Sequence, residues 1–310
     1  MKRSITTNFK NIVNYLGIAA ETADRLISHR QSKWIRNTKQ DTVIVFVHGF
    51  LSKGEKAWST RTSNWFTIIQ NDPELNHCDI FQAEWYTTSL SGRYDLEDAA
   101  KSLLTELATP HLPHRSIWEY PNIVMVGHSM GGIVIRKVLI EHPEIVTKST
   151  VKILTLSTPA TGVNLINHLL KWKWLPRNAM LQELQPTNEE LTEVHKQFQI
   201  LVENHAHNIS GIELYESHLV APRHPSLEKV YATLGQPEPL VPSSSQGNYF
   251  GSAVEVPNSD HRSISRPTSS ESQSHHHLKK LILVQMATTP ASPLSAEEIH
   301  SSPPETEPLS

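Results

Sequence analysis

Short runs of β-branched and apolar residues alternate along this chain with longer stretches whose apolar residues recur at helical spacing, and no other feature constrains the fold as much. The strand-length runs are Thr42–Val47, Asp79–Trp85, Asn122–Val126, Val151–Leu156, Ile209–Leu214 and Ala253–Val256. They are nearly continuous in apolar character, as strands buried on both faces are. Helical patterns occupy 93–108, 131–141 and 187–204, with a last one at 275–286. Thr187, with Glu190 three residues on, reads as a capping box opening the third of these. Strand–helix alternation predicts an α/β fold, with a mostly parallel sheet and helices on both faces. No internal repeat is visible.

Composition removes several function classes. The 310 residues include one Cys, so no intramolecular disulfide forms, and neither a disulfide-built scaffold nor a Cys-rich zinc module fits. A formal net charge of -3 argues against a dedicated nucleic-acid binder, which would carry a basic stripe. No apolar run approaches the roughly 20 residues of a membrane-spanning helix. Near the N-terminus, Asn14 interrupts the apolar stretch that a secretory signal would need. Ile12, Leu16, Ala19, Ala23 and Leu26 instead predict an amphipathic helix in the region 1–40, packed on the domain or touching a membrane surface. From Ala287 to Ser310 there are five prolines, four acids, no Lys or Arg and no aromatic, a composition expected to remain a disordered tail. His275, His276 and His277 are adjacent on a predicted helix. Their side chains point about 100° apart and cannot converge on one metal ion.

The strongest chemical signal is Gly127-His128-Ser129-Met130-Gly131, between the run NIVMV and the helical pattern IVIRKVLI. A G-x-S-x-G at a strand–turn–helix junction is the context of a nucleophilic serine on a tight turn. Side chains in place of the two glycines would collide with the neighbouring strand or helix. The turn lifts the hydroxyl above the sheet edge at a helix N-terminus, which favours developing negative charge. A phosphate-cradling loop would want a Lys here, and none is present. A second signal is VIVFVHGF at 43–50. An oxyanion hole needs two converging backbone N–H groups, and Met130 and Phe50 are the candidates. His48 is expected to anchor its loop by hydrogen bonds rather than to act as a base.

With HGF and GHSMGG together, the chain resembles the α/β-hydrolases. More narrowly it is similar to the lipase-like serine esterases, the branch that includes GPI inositol-deacylase-like and serine-active-site-containing proteins. LTLSTPATG at 154–162, LYES at 214–217 and SDHRSISRP at 259–267 are the other matching pieces. The resemblance covers roughly residues 40–285 and implies a trimmed sheet of about six parallel strands within a catalytic domain at 41–286. It also implies the order nucleophile, acid, base, hence Ser129, then Glu216, then His261. His261 stands four residues past AVEVP, in the loop after the last strand, and its rivals are His275, His276, His277 and His300. Glu216 ends ISGIELYE and fits the branch's Y-E-S pattern, with Glu213, Glu238 and Asp260 as rival carboxylates.

The insertion at 163–206 reads as a lid or pocket wall. In it, Leu170, Trp172 and Trp174 either line an acyl site or pack as core, and Trp58 and Trp65 pose the same question. The sequon at Asn208 begins a strand expected to be buried, which speaks against its use. The reading that follows is a serine hydrolase of carboxylic esters, lipid-like or acyl, with no metal or organic cofactor. Its partner is a small-molecule ester, with no nucleic acid and no obligate protein partner; peripheral membrane contact and a cytoplasmic location are expected. The alternatives are acyl transfer by the same residues, or a catalytically weak hydrolase-like regulatory module.

Overall fold

All six apolar runs become strands, and they lie side by side. The computed structural model describes residues 32–50, 52, 54–85, 95–110, 113–163, 183–186, 188–218 and 239–286. In chain order its elements are β1 (Lys33–Arg36), β2 (Thr42–Val47), α1 (Trp65–Asn71), β3 (Cys78–Ala83), α2 (Leu96–Ala108), β4 (Asn122–His128), α3 (Met130–Glu141), α4 (Glu144–Lys148), β5 (Thr150–Leu156), α5 (Glu189–Asn204), β6 (Ile209–Glu216), β7 (Val254–Val256) and α6 (Gln273–Met286). The sheet order is β1-β3-β2-β4-β5-β6-β7. Every neighbouring pair from β3 to β7 is parallel, whereas β1 runs antiparallel to β3 at the edge.

Alternation along β2 distributes the core. Val43, Val45 and Val47 face one layer, with α2, α3 and α5; Ile44 and Phe46 face the other, with α1 and α6. These five side chains are fully buried, each worth about 1.5–3 kcal/mol relative to exposure. Trp58 and Trp65 settle against Phe46, edge to face, in the second layer. Both are fully buried, so they are core residues and not part of a lipid-facing surface. Among the described residues no helix is long and apolar enough to cross a membrane.

Several expectations need correction. The sheet begins before residue 41: β1 was not anticipated, because KWIR shows neither clean alternation nor continuous apolarity. Trp34 nevertheless packs edge-on against Phe81, with ring centroids 4.9 Å apart. The cap of α5 is Asn188, whose side chain accepts from the Leu191 N–H, rather than Thr187, which lies outside the described residues. Within the region expected to be a lid, α5 is a core helix, burying Leu191, Val194, Phe198 and Leu201. Leu170, Trp172 and Trp174, the N-terminal segment 1–31 and the tail 287–310 lie outside the described residues.

Candidate active site

The strand order reverses between β2 and β4. The chain steps outward from β2 to β3, then crosses back to β4 on the other side of β2 and proceeds to β7. Ligands of open α/β sheets bind outside the carboxyl ends of strands at such a switch point. Val47 and Gly127 are register partners there, so the segments His48–Phe50 and His128–Met130 emerge side by side.

Ser129 occupies the turn between β4 and α3 with φ 53° and ψ −126°, a left-handed conformation that costs a non-glycine residue about 1–3 kcal/mol. Hydrogen bonds hold it there: Ser129 N–H donates to Leu156 O at 2.8 Å, and Gly132 N–H donates to Ser129 O at 3.1 Å. Gly127 and Gly131 make the turn sterically feasible. A Cβ on Gly127 would sit 2.7 Å from the Gly132 Cα on α3, and one on Gly131 would run into the Val47 and His48 carbonyls at the end of β2. The two glycines face helix and strand respectively, as their spacing around the serine suggested.

The structure brings the three residues Ser129, His261 and Glu216 together. His261, on the loop after β7, places Nε2 3.0 Å from the Ser129 Oγ. Its Nδ1 lies 3.4 Å from Glu216 Oε1, at ion-pair distance but not aligned as a hydrogen bond. Glu216 ends β6 and is fully buried. Burial acts to raise its carboxyl, but His261, the Ser157 hydroxyl and the Val241 N–H outweigh burial and hold it below the usual carboxylate range. The Val241 N–H donates to Oε1 at 2.8 Å. The site is therefore set up to keep a carboxylate charged behind an imidazole that reaches a serine hydroxyl.

The rival residues have other occupations. Asp260 Oδ1 accepts the N–H groups of Arg262 and Ser263, each at 2.8 Å, and so caps its own turn. Glu213, three residues before Glu216, lies on the opposite face of β6 and accepts from Gly247 N–H and Tyr249 N–H. His275 is buried between Asp72 (3.0 Å from Nε2) and the Trp65 indole, which donates to Nδ1 at 3.2 Å. Its neighbours His276 and His277 diverge from it, and no metal-holding cluster occurs among the described residues. Glu238 and His300 lie outside the described residues. His48 is buried, stacks on Trp85 and lies 3.3 Å from Glu84 Oε2. The Trp85 indole, just beyond the end of β3, donates to His48 O, so this segment is tied to β3.

Met130 is the first residue of α3, so its N–H is among the first-turn donors without an intrahelical acceptor. Phe50 is half-buried at the turn after His48-Gly49 and packs against the layer containing α3. His128, not singled out from the sequence as more than part of the motif, is buried and its Nε2 contacts the His261 carbonyl oxygen at 2.7 Å. A second unanticipated feature is a buried network in which Arg136 of α3 donates to the Tyr249 hydroxyl at 2.6 Å. Burial raises the Glu213 carboxyl nearby, a tendency that Arg136 and the N–H groups of residues 247–249 oppose.

Similarity to known proteins agrees with this architecture. Mature Bacillus licheniformis lipase BlEst2 superposes with a TM-score of 0.51 at 19% identity, covering 74% of this chain and 88% of that one. The chain has the α/β-hydrolase fold. Residues 92–209 match the family model of the PGAP1-like alpha/beta domain. Two further structures are similar at lower TM-scores. The peroxisomal α/β-hydrolase Lpx1 of Saccharomyces cerevisiae has 12% identity, 84% coverage of each chain and a TM-score of 0.48. MGS-MChE2, an α/β-hydrolase from the metagenome of Mar Chica lagoon sediments in Morocco, has 13% identity, covers 83% of this chain and 96% of that one, and gives 0.46. No curated protein matches the chain significantly.

Proposed function

We propose that this chain is an α/β-hydrolase that cleaves carboxylic esters with an apolar, lipid-like acyl part through a Ser129–His261–Glu216 triad. The observation that carries the reading is the line of contacts from Ser129 Oγ through the His261 ring to the buried Glu216 carboxyl. Ser129 Oγ attacks the ester carbonyl carbon as its proton passes to His261 Nε2. Glu216 stays ionised and stabilises the imidazolium. The carbonyl oxygen gains negative charge in the tetrahedral intermediate, where the N–H groups of Met130 and Phe50 receive it. As the intermediate collapses, the C–O bond to the alcohol breaks and the departing oxygen takes the proton from His261. Water then attacks the acyl-enzyme, its proton passing to His261 and on to Ser129 Oγ as the carboxylic acid leaves. The name of the lipase BlEst2 supports the choice of ester chemistry.

A fluorophosphonate probe should modify Ser129 in the intact chain. Ser129→Ala should abolish labelling and lower turnover of p-nitrophenyl butyrate by at least about 10³-fold without altering the unfolding midpoint. Turnover by the variant close to that of the wild type would remove Ser129 from the mechanism.

A further inference from the structure

Two members of the proposed triad sit on or beside interior strands of the sheet, and the third does not. Ser129 follows β4 and Glu216 closes β6, whereas His261 rides on a loop after β7, a strand of three residues. The imidazole is only as well placed as that loop. Its backbone is held on both sides of Asp260. Ser217, next to Glu216, donates its N–H to Ser259 O at 3.1 Å, and His128, next to Ser129, meets His261 O at 2.7 Å.

We propose that His128 is a positioning residue for the triad, its Nε2–H fixing the His261 carbonyl and with it the distance from the His261 ring to Ser129. The inference rests on the serine-hydrolase reading. A carbonyl accepts and never donates, so the bond requires the proton on His128 Nε2 and leaves Nδ1 without one. That Nδ1 is buried with no hydrogen-bond partner. An unpaired buried nitrogen is a cost that Leu or Phe would avoid, so filling space does not account for an imidazole here. The donor does.

The electrostatics are compatible with this role. The His128 and His261 rings are 5.0 Å apart, close enough for a second positive charge to oppose protonation of His261 during the reaction. Burial, reinforced by charge repulsion from His261, Arg266 and His48, pushes His128 well below the usual imidazole range. His128 is therefore a neutral donor. Trp58 flanks it edge-on, with ring centroids 6.4 Å apart.

The test compares His128→Gln, whose amide nitrogen reaches about as far as Nε2, with His128→Leu, which fills space but cannot donate. On p-nitrophenyl butyrate, His128→Leu should lose about 10- to 100-fold in kcat with KM within about twofold, because a small misplacement of the base weakens chemistry more than binding. Fluorophosphonate labelling should slow in parallel, and His128→Gln should recover most of both losses. Equal impairment of the two variants, or an unchanged kcat in His128→Leu, would overturn the proposal. A wild-type protein that neither hydrolyses the ester nor labels would instead overturn the hydrolase reading. The positioning claim is then read from histidine 15N spectra of the full chain. They should show wild-type His128 in the neutral Nε2–H form at pH 6 to 8, and His261 ring signals displaced in His128→Leu but not in His128→Gln. A His128 protonated on Nδ1, or His261 signals indifferent to both variants, refutes it. The wild-type spectrum alone decides the tautomer should the leucine variant fail to fold.

Discussion

Three carboxylates lie on the segments that build this site, and each is committed by its hydrogen bonds. Glu216 keeps one oxygen for His261 and Val241, Asp260 satisfies two N–H groups of its own turn, and Glu213 binds the loop at 247–249 on the far side of the sheet. Glu216→Gln should therefore lower kcat by roughly 10- to 10⁴-fold with the fold intact, since the imidazolium loses its counter-charge. Asp260→Asn keeps the turn's acceptor oxygen and should stay within a few-fold of wild type. Steady-state kinetics on one ester with both purified variants checks the pair, and a larger loss in Asp260→Asn would reverse the assignment. Much of this was legible in the sequence, because Ser129, Glu216 and His261 each stand within a few residues of the end of an apolar run. His128 was not. Its partner is a backbone carbonyl, and a carbonyl leaves no residue type in the sequence to pair with it.

At the scale of elements, the same distinction between patterned and unpatterned signals holds. Strands β2 to β6 were readable because burial on both faces demands continuous apolarity. Edge strand β1 needs only one good contact, supplied by Trp34 against Phe81, so it imposes no pattern on its four residues. The start of α5 was ambiguous for another reason: Thr187 and Asn188 are adjacent, and both are residue types that cap helices. Asn188, with φ −73° and ψ 126°, has the extended backbone of a cap, and its side chain accepts the Leu191 N–H at 2.9 Å. Asn188→Ala should cost about 1 kcal/mol of unfolding free energy. It should leave ester turnover unchanged, because α5 packs on α3 and supplies none of the three site residues. Urea unfolding monitored by circular dichroism measures this. A cost below about 0.3 kcal/mol would place the cap elsewhere.

Across the whole molecule, the site collects at the carboxyl ends of the strands, and the opposite end of the sheet contains an expense with no catalytic return. Lys152 lies near the start of β5 in an otherwise apolar strand and is almost fully buried against α6. Its ammonium donates to the backbone carbonyls of Leu281 and Ile282, late in that helix. Carbonyls near a helix C-terminus favour a cation, yet burial still pulls the lysine down from 10.5 to about 8. The sign of the consequence follows from proton counting. At pH 7 the lysine is charged in both the folded and the unfolded chain, and the folded state bears the desolvation cost. Between about pH 8 and 10.5 the folded chain has released this proton while the unfolded chain still holds it. The unfolded state then binds more protons, so this residue's contribution to stability rises with pH through that window and levels off above it. Lys152→Met keeps the stem and removes the titration. The stability difference, wild type minus Lys152→Met, should therefore shift in favour of wild type by about 1 to 3 kcal/mol between pH 7.5 and pH 10.5. Urea midpoints of both proteins across that range measure the difference directly, and other titrating groups cancel in it. A difference that does not change with pH would show that the Lys152 ammonium is as well solvated in the fold as in water.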